Sequence, residues 1–212
     1  MEPNFWLQRW ENNEIGFHAS DTNPLLKNYF PALAVPEGSR VFVPLCGKTL
    51  DIAWLLTQNY RVAGAELSEL AIEQLFQGLG IQPQITQVGT LKHYAAPQID
   101  IFVGDIFDLS AEVLGPIDAI YDRAALVALP ATLRSQYTAH LRTLTHKAPQ
   151  LLVCYEYDQS LASGPPFSIV AEEVHQHYDG YYEVQNLLRA EVPGGFRGQF
   201  PAQESVWVLT RV

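Results

Sequence analysis

From Arg40 onward the chain alternates short, continuous apolar runs with longer stretches in which apolar residues recur at helical spacing. The runs predict strands over residues 41–43, 62–65, 101–103, 117–121 and 151–155, and the intervening stretches predict helices over 49–59, 68–79 and 131–146. Strand and helix in regular alternation is the signature of βαβ units and a parallel, doubly wound sheet. Beyond Gly164-Pro165-Pro166 a helix is expected over 169–177, then strands over 182–188 and 205–209, close enough to form an antiparallel hairpin on one edge. Residues 85–96 alternate only weakly and read as an inserted hairpin or an irregular excursion. Ahead of this series, residues 5–11 and 24–29 are short amphipathic helices joined by a polar loop over 12–23. The expectation is an α/β fold with a seven-stranded, mostly parallel sheet over residues 40–212 and an N-terminal helical cap over 1–35, all in a single domain spanning 1–212.

Composition narrows the partners. Of 212 residues 48% are hydrophobic, enough for one substantial core and too few for two comfortable ones. The net charge is −10 with scattered basic residues, so a phosphate backbone would be repelled over most of the surface, which argues against nucleic acid. No apolar run approaches the roughly 18 residues of a membrane-spanning helix, and no basic-then-apolar leader opens the chain. A cytoplasmic monomer without a membrane partner is expected. Cys46 and Cys154 are far apart and lack Cys/His ligand spacing, which gives two free thiols and no metal site.

Open α/β sheets bind ligands at the carboxyl ends of their strands, and the first such turn here is Pro44-Leu45-Cys46-Gly47-Lys48. A dinucleotide enzyme would have three spaced glycines there to hold a pyrophosphate. This turn has one. Gly47 permits close backbone approach by a ligand without phosphates, such as an adenosyl cation. Glu66 ends the second strand about twenty residues on, where an acidic side chain reaches the two ribose hydroxyls of an adenosine. After the third strand, Asp105 offers an acceptor for an adenine amino group and Ile106 an apolar wall. Tyr121-Asp122-Arg123 closes the fourth, and an arginine where a buried strand opens into a crevice points to an anionic guest. The competing account of Arg123 is an ion pair with Asp122 or Asp118.

These strings resemble the thiopurine S-methyltransferases, in particular the bacterial members. The resemblance runs through Phe5-Trp6, Trp10 and Gly16-Phe17-His18, the segment from Arg40 to Lys48, and the one from Glu66 to Leu70. It continues from Asp105 to Leu109, from Tyr121 to Ala128 and from Gly164 to Phe167. It implies a class I (Rossmann-like) methyltransferase fold, S-adenosylmethionine as methyl donor with S-adenosylhomocysteine as product, and methylation of small aromatic or heterocyclic thiols. By position, Trp6, Trp10, Leu45, Glu66, Ile106 and Arg123 correspond to cofactor-contacting residues and Phe17 to the substrate pocket. A second arginine over the substrate corresponds to Arg197.

The chemistry agrees with that reaction. Thiolate attack on a sulfonium methyl consumes both charges, so a dry pocket accelerates it, and Trp6, Trp10 and Phe17 are placed in the cap to exclude water. A cation stabilises the thiolate more than the charge-neutralised transition state, so Arg123 has the role of favouring the anion and holding it in line. Two other readings stay open: inorganic selenium or tellurium anions as acceptors, which the resemblance to the bacterial members also implies, and a non-catalytic adenosyl-ligand sensor. The Gly164-Pro165-Pro166-Phe167 string resembles a loop of amino-methylating DNA enzymes but follows a different strand, and reads as a rigid wall. His18, beside Phe17, is within reach of the site, although a loop histidine is more often a solvated or capping residue, and Cys46 reads as a small residue in a tight turn.

Overall fold

The computed structural model describes residues 3–212; the first two residues of the expected cap lie outside them. Helices α1 (Pro3–Glu11) and α2 (Pro24–Tyr29) precede β1 (Arg40–Pro44), α3 (Leu50–Thr57), β2 (Arg61–Glu66) and α4 (Glu69–Leu79). Then come β3 (Gln84–Val88), β4 (Leu91–Ala96), β5 (Ile99–Val103), α5 (Ala111–Leu114) and β6 (Ala119–Arg123). The chain ends with α6 (Ala131–Leu144), β7 (Gln150–Glu156), α7 (Ala171–Tyr178), β8 (Tyr182–Glu191) and β9 (Gln203–Arg211).

The sheet has nine strands in the order β3-β4-β5-β2-β1-β6-β7-β9-β8. The five central strands are parallel, with Val43 beside Gly64 and Val41 beside Ala119. All seven expected strands are present. The expected count of seven is corrected to nine because residues 84–96 form an antiparallel hairpin that pairs with β5 and extends the sheet. Its alternation is weak because β3 is an edge strand with almost every residue exposed, so no face is selected for apolarity. Antiparallel hairpins therefore close both edges, not one.

The central strands are buried on both faces, which is why they read as continuous apolar runs. In β1, Phe42 packs with Ile120 and Leu152 against Tyr137 and Leu141 of α6 and Val174 of α7. Its neighbours Val41 and Val43 face Leu26, Ile52, Leu55, Ile72 and Phe76 of α2, α3 and α4. The sheet is thus sandwiched between two helical layers, and the strand order reverses between β1 and β6. That is the switch point at which such sheets leave a crevice. One buried carboxylate ties the start of α2 to this frame: Asp51 accepts the Asn23 N–H at 2.7 Å and the Tyr121 hydroxyl at 3.0 Å.

Candidate active site

The turn after β1 is shaped by backbone conformations that few side chains adopt. Leu45 and Gly47 have φ of +46° and +51°. A Cβ at Gly47 would lie 2.9 Å from Cζ2 of Trp10, so glycine is required both for the turn and for seating the cap on it. Glu66 holds the turn from below. Its Oε2 accepts the Gly47 N–H at 2.7 Å and its Oε1 the Ser68 N–H at 2.9 Å. Burial raises the Glu66 carboxyl above its usual range, and the N–H groups of Ser68, Gly47 and Leu67 oppose that rise. Each oxygen retains capacity for a further donor. Burial and the Glu66 charge push the Cys46 thiol well up, so Cys46 is an inert filler of the turn.

The cap covers this floor with aromatic rings. Trp10 is buried, and Phe17 meets both Trp6 and Trp10 edge to face, at centroid distances of 5.6 and 5.5 Å. Lys48 lies 5.8 Å from the Trp10 ring while its ammonium donates to Gln74 at 2.7 Å. Gln74, on α4, is absent from any motif, and no sequence signal pointed to it. His18, next to Phe17, is half-buried, and its pKa is lowered by burial and by the charges of Lys48 and Arg123.

Arg123 is the last residue of β6. The ion-pair account of it fails on geometry, because its neighbouring carboxylates are engaged elsewhere. Asp122 accepts the Leu126 N–H at 3.1 Å and the Tyr137 hydroxyl at 2.8 Å, and Asp118 accepts the Arg40 N–H at 2.7 Å. Among the described residues no carboxylate pairs with the Arg123 guanidinium. Burial lifts the Asp122 carboxyl to about 6. Tyr137 lies fifteen residues beyond Asp122, a separation at which sequence carries no pairing signal.

The end of β5 abuts Glu66, whose carbonyl accepts the Gly104 N–H at 2.9 Å. Ile106 is buried, with its carbonyl accepting from His140 at 2.8 Å. Asp105 is exposed, and its Oδ1 accepts the Phe107 N–H at 3.0 Å, leaving the other oxygen open. Arg197 stands farther off. It is exposed and donates to the Pro165 carbonyl at 3.1 Å, while the Phe167 N–H donates to the Val127 carbonyl at 2.6 Å. Tyr157, Phe196 and Phe200 stack behind this loop, so Arg197 joins the segment after β6 through Pro165 and Phe167. Among the described residues it has no hydrogen bond to Arg123, Glu66 or Phe17.

The structure therefore gathers Trp6, Trp10, Phe17, Leu45, Gly47 and Glu66 at one end of the crevice, with Asp105 and Ile106 beside Glu66 and Arg123 on β6 across the switch point. Hollows of about 360 and 370 Å³ lie elsewhere, one beside Ile117 and Pro149 and one beside Glu156 and Val170. Neither contains a residue of this group. The polar chemistry converges at the strand ends and not in those hollows.

A family profile described as "Thiopurine S-methyltransferase (TPMT)" matches residues 1–212. A relative named "Thiopurine S-methyltransferase" from Xanthobacter autotrophicus is 55% identical over 212 residues, covering 100% of both chains. Another of that name from Teredinibacter turnerae is 51% identical, covering 100% of this chain and 98% of its own. Among solved structures, a 1,6-didemethyltoxoflavin-N1-methyltransferase from Burkholderia thailandensis superposes with a TM-score of 0.66 at 14% identity, covering 98% of this chain and 87% of that one. That structure contains S-adenosylhomocysteine. At this identity the likeness concerns the fold.

Proposed function

The chain belongs to the thiopurine S-methyltransferase family, and from that premise we propose that it moves the methyl group of S-adenosylmethionine to the sulfur of small aromatic and heterocyclic thiols by one direct displacement. The observation that carries the acceptor assignment is the Arg123 guanidinium, which has no carboxylate partner among the described residues while Asp122 and Asp118 are both engaged. A cation so disposed suits an anionic guest.

The residues present fit the donor. Gly47 supplies a turn without side-chain bulk under Trp10, and Glu66 is a buried carboxylate with acceptor capacity to spare for a ribose. Leu45, Asp105 and Ile106 would complete the adenosine side, with Trp6, Trp10 and Arg123 bounding the rest. S-adenosylmethionine, when bound, supplies an electrophilic methyl on a sulfonium. The chain's own residues then do three things. Glu66 and the β1 turn fix the ligand, the aromatic cap excludes water, and Arg123 lowers the pKa of the bound thiol and holds the thiolate in line. Arg197 is assigned to the rim of the acceptor pocket, beyond Pro165. Residues 1–35 act as the lid of one domain spanning 1–212. The strongly acidic charge supports a small-molecule acceptor over nucleic acid, and a cytoplasmic monomer completes the reading.

The test is a panel of aromatic thiols, aliphatic thiols, selenite and tellurite incubated with methyl-labelled S-adenosylmethionine, with products identified by mass. The expected product is a labelled aromatic thioether together with S-adenosylhomocysteine. Label found only in volatile selenium or tellurium species would replace the acceptor class. Tight donor binding without transfer to any acceptor would make the chain a sensor.

A further inference from the structure

Lys48 closes the turn after β1, and among the described residues it forms no ion pair. Its ammonium is held instead by a neutral amide, donating to Oε1 of Gln74 on α4 at 2.7 Å, and it stands over the Trp10 ring at 5.8 Å from the centroid. Lys48 and Gln74 are both half-buried and both belong to the α/β core, so their hydrogen bond does not depend on the cap. Trp10, near the end of α1, is the buried cap residue that meets them. The same ring lies on Gly47, where a Cβ would come within 2.9 Å of it. One indole thus contacts two consecutive residues of the turn, and α1 packs on α4 alongside. A lysine serving only the surface would keep its ammonium in water, away from an uncharged amide and an indole.

We propose that Lys48 is a positioning residue for donor binding: fixed by Gln74, it holds Trp10, and with it the cap, on the β1 turn before the donor arrives. This rests on the reading of the cap as a lid over the S-adenosylmethionine site. The face of an indole is the negative side of its quadrupole, so a cation already fixed on the turn attracts it, more strongly where water is excluded. Ordering the long lysine side chain in advance removes an entropic cost from cap closure. The effect on affinity follows from populations. If the donor is retained only under a seated cap, its apparent dissociation constant is the intrinsic one divided by the fraction of molecules already closed. Loss of the cation lowers that fraction and weakens donor binding. Saturating donor restores closure, so methyl transfer then proceeds from the same complex.

The test compares wild type with Lys48→Met, an uncharged side chain of similar length, with Lys48→Arg, and with Gln74→Leu alone and combined with Lys48→Met. Calorimetric titration with S-adenosylhomocysteine should show about tenfold weaker binding for Lys48→Met, as expected if the closed fraction falls to about a tenth. Lys48→Arg, still a cation able to donate to Gln74, should recover most of the loss. Gln74→Leu should weaken binding in the same direction, and the double variant should be no worse than Lys48→Met, because Gln74 acts through the lysine. At saturating S-adenosylmethionine, kcat of Lys48→Met should stay within about twofold of wild type, which separates cap seating from a part in the chemistry. A second readout follows the cap itself. Amide hydrogen exchange over residues 3–22 should be faster in unliganded Lys48→Met than in wild type, and equal in the two once S-adenosylhomocysteine saturates both. An unliganded cap that exchanges alike in both proteins, losses that add in the double variant, a fall in kcat as large as the fall in affinity, or faster exchange spreading through β1 and β2 would overturn the assignment. Failure of wild type to bind S-adenosylhomocysteine would instead count against the donor reading, so the two failures are distinguishable.

Discussion

Each oxygen of Glu66 already accepts one backbone N–H, from Gly47 at 2.7 Å and from Ser68 at 2.9 Å, so the carboxylate shapes the turn as well as facing the crevice. Two consequences follow for substitution. Glu66→Ala should weaken S-adenosylhomocysteine binding by about 2 to 4 kcal/mol, the loss of two charge-assisted hydrogen bonds. Glu66→Gln should be nearly as damaging, because an amide has one acceptor oxygen and its NH₂ would confront the N–H of either Gly47 or Ser68. Calorimetric titration of both variants checks this, and wild-type affinity in either would remove Glu66 from the ligand. The candidate positions Gly47 and Glu66 were legible from their spacing and from the strand ends they occupy. Other features had no such signal. Trp10 sits on Gly47 across a long stretch of chain, Gln74 reaches Lys48 from a helix, and Tyr137 secures Asp122. Such contacts depend on how helices dock on the sheet, which no local period records.

Helices and strands were readable in proportion to how much their burial constrains composition. The central strands β1, β2, β5, β6 and β7 are covered on both faces and announce themselves as apolar runs. The hairpin of β3 and β4 leaves only a weak alternation in the sequence because its outer strand is solvated. Strand β6 runs two residues further than its apolar run suggests, which sets Arg123 on the strand itself, where its backbone is fixed by pairing with Val153. The cap shows the same limit from the other side. Its amphipathic pattern gave the helices, whereas its seat on the β1 turn came only with the structure. Deleting residues 1–20 should leave a folded protein, since all three core clusters are built from Leu26 onward. It should bind S-adenosylhomocysteine poorly and transfer little methyl, because water enters and the aromatic contacts of Trp6, Trp10 and Phe17 are lost. Normal Michaelis constants and full turnover in the truncated protein would show the cap to be packing alone.

The whole molecule carries a net charge of −10, yet two of its cations, Lys48 after β1 and Arg123 at the end of β6, stand at the strand ends where the acceptor is proposed to bind. Stability is tied to the same place. Burial lifts Asp122 to about 6, so between the ordinary carboxyl value and that figure the folded protein holds a proton that the unfolded chain releases. Its contribution to stability is complete below the ordinary carboxyl value and is lost as pH rises through about 6. Asn fits the site, with its oxygen accepting from Leu126 and its NH₂ donating to a rotated Tyr137 hydroxyl. The unfolding free energy of Asp122→Asn relative to wild type should therefore rise by about 2 kcal/mol between about pH 4 and about pH 7. Denaturant titrations at several pH values check it, and a difference independent of pH would contradict it.

The central claim is that sulfur is methylated as an anion held by Arg123. It is tested most directly by kcat at saturating S-adenosylmethionine for wild type and Arg123→Ala, across aromatic thiols of graded acidity, once donor affinity is shown to be intact. Wild type should convert every member of the series to its thioether. The variant should lose at least about tenfold with the least acidic thiols, and progressively less with those already ionised in solution. Equal kcat for the two proteins throughout the series, or no thioether from wild type, would contradict the account.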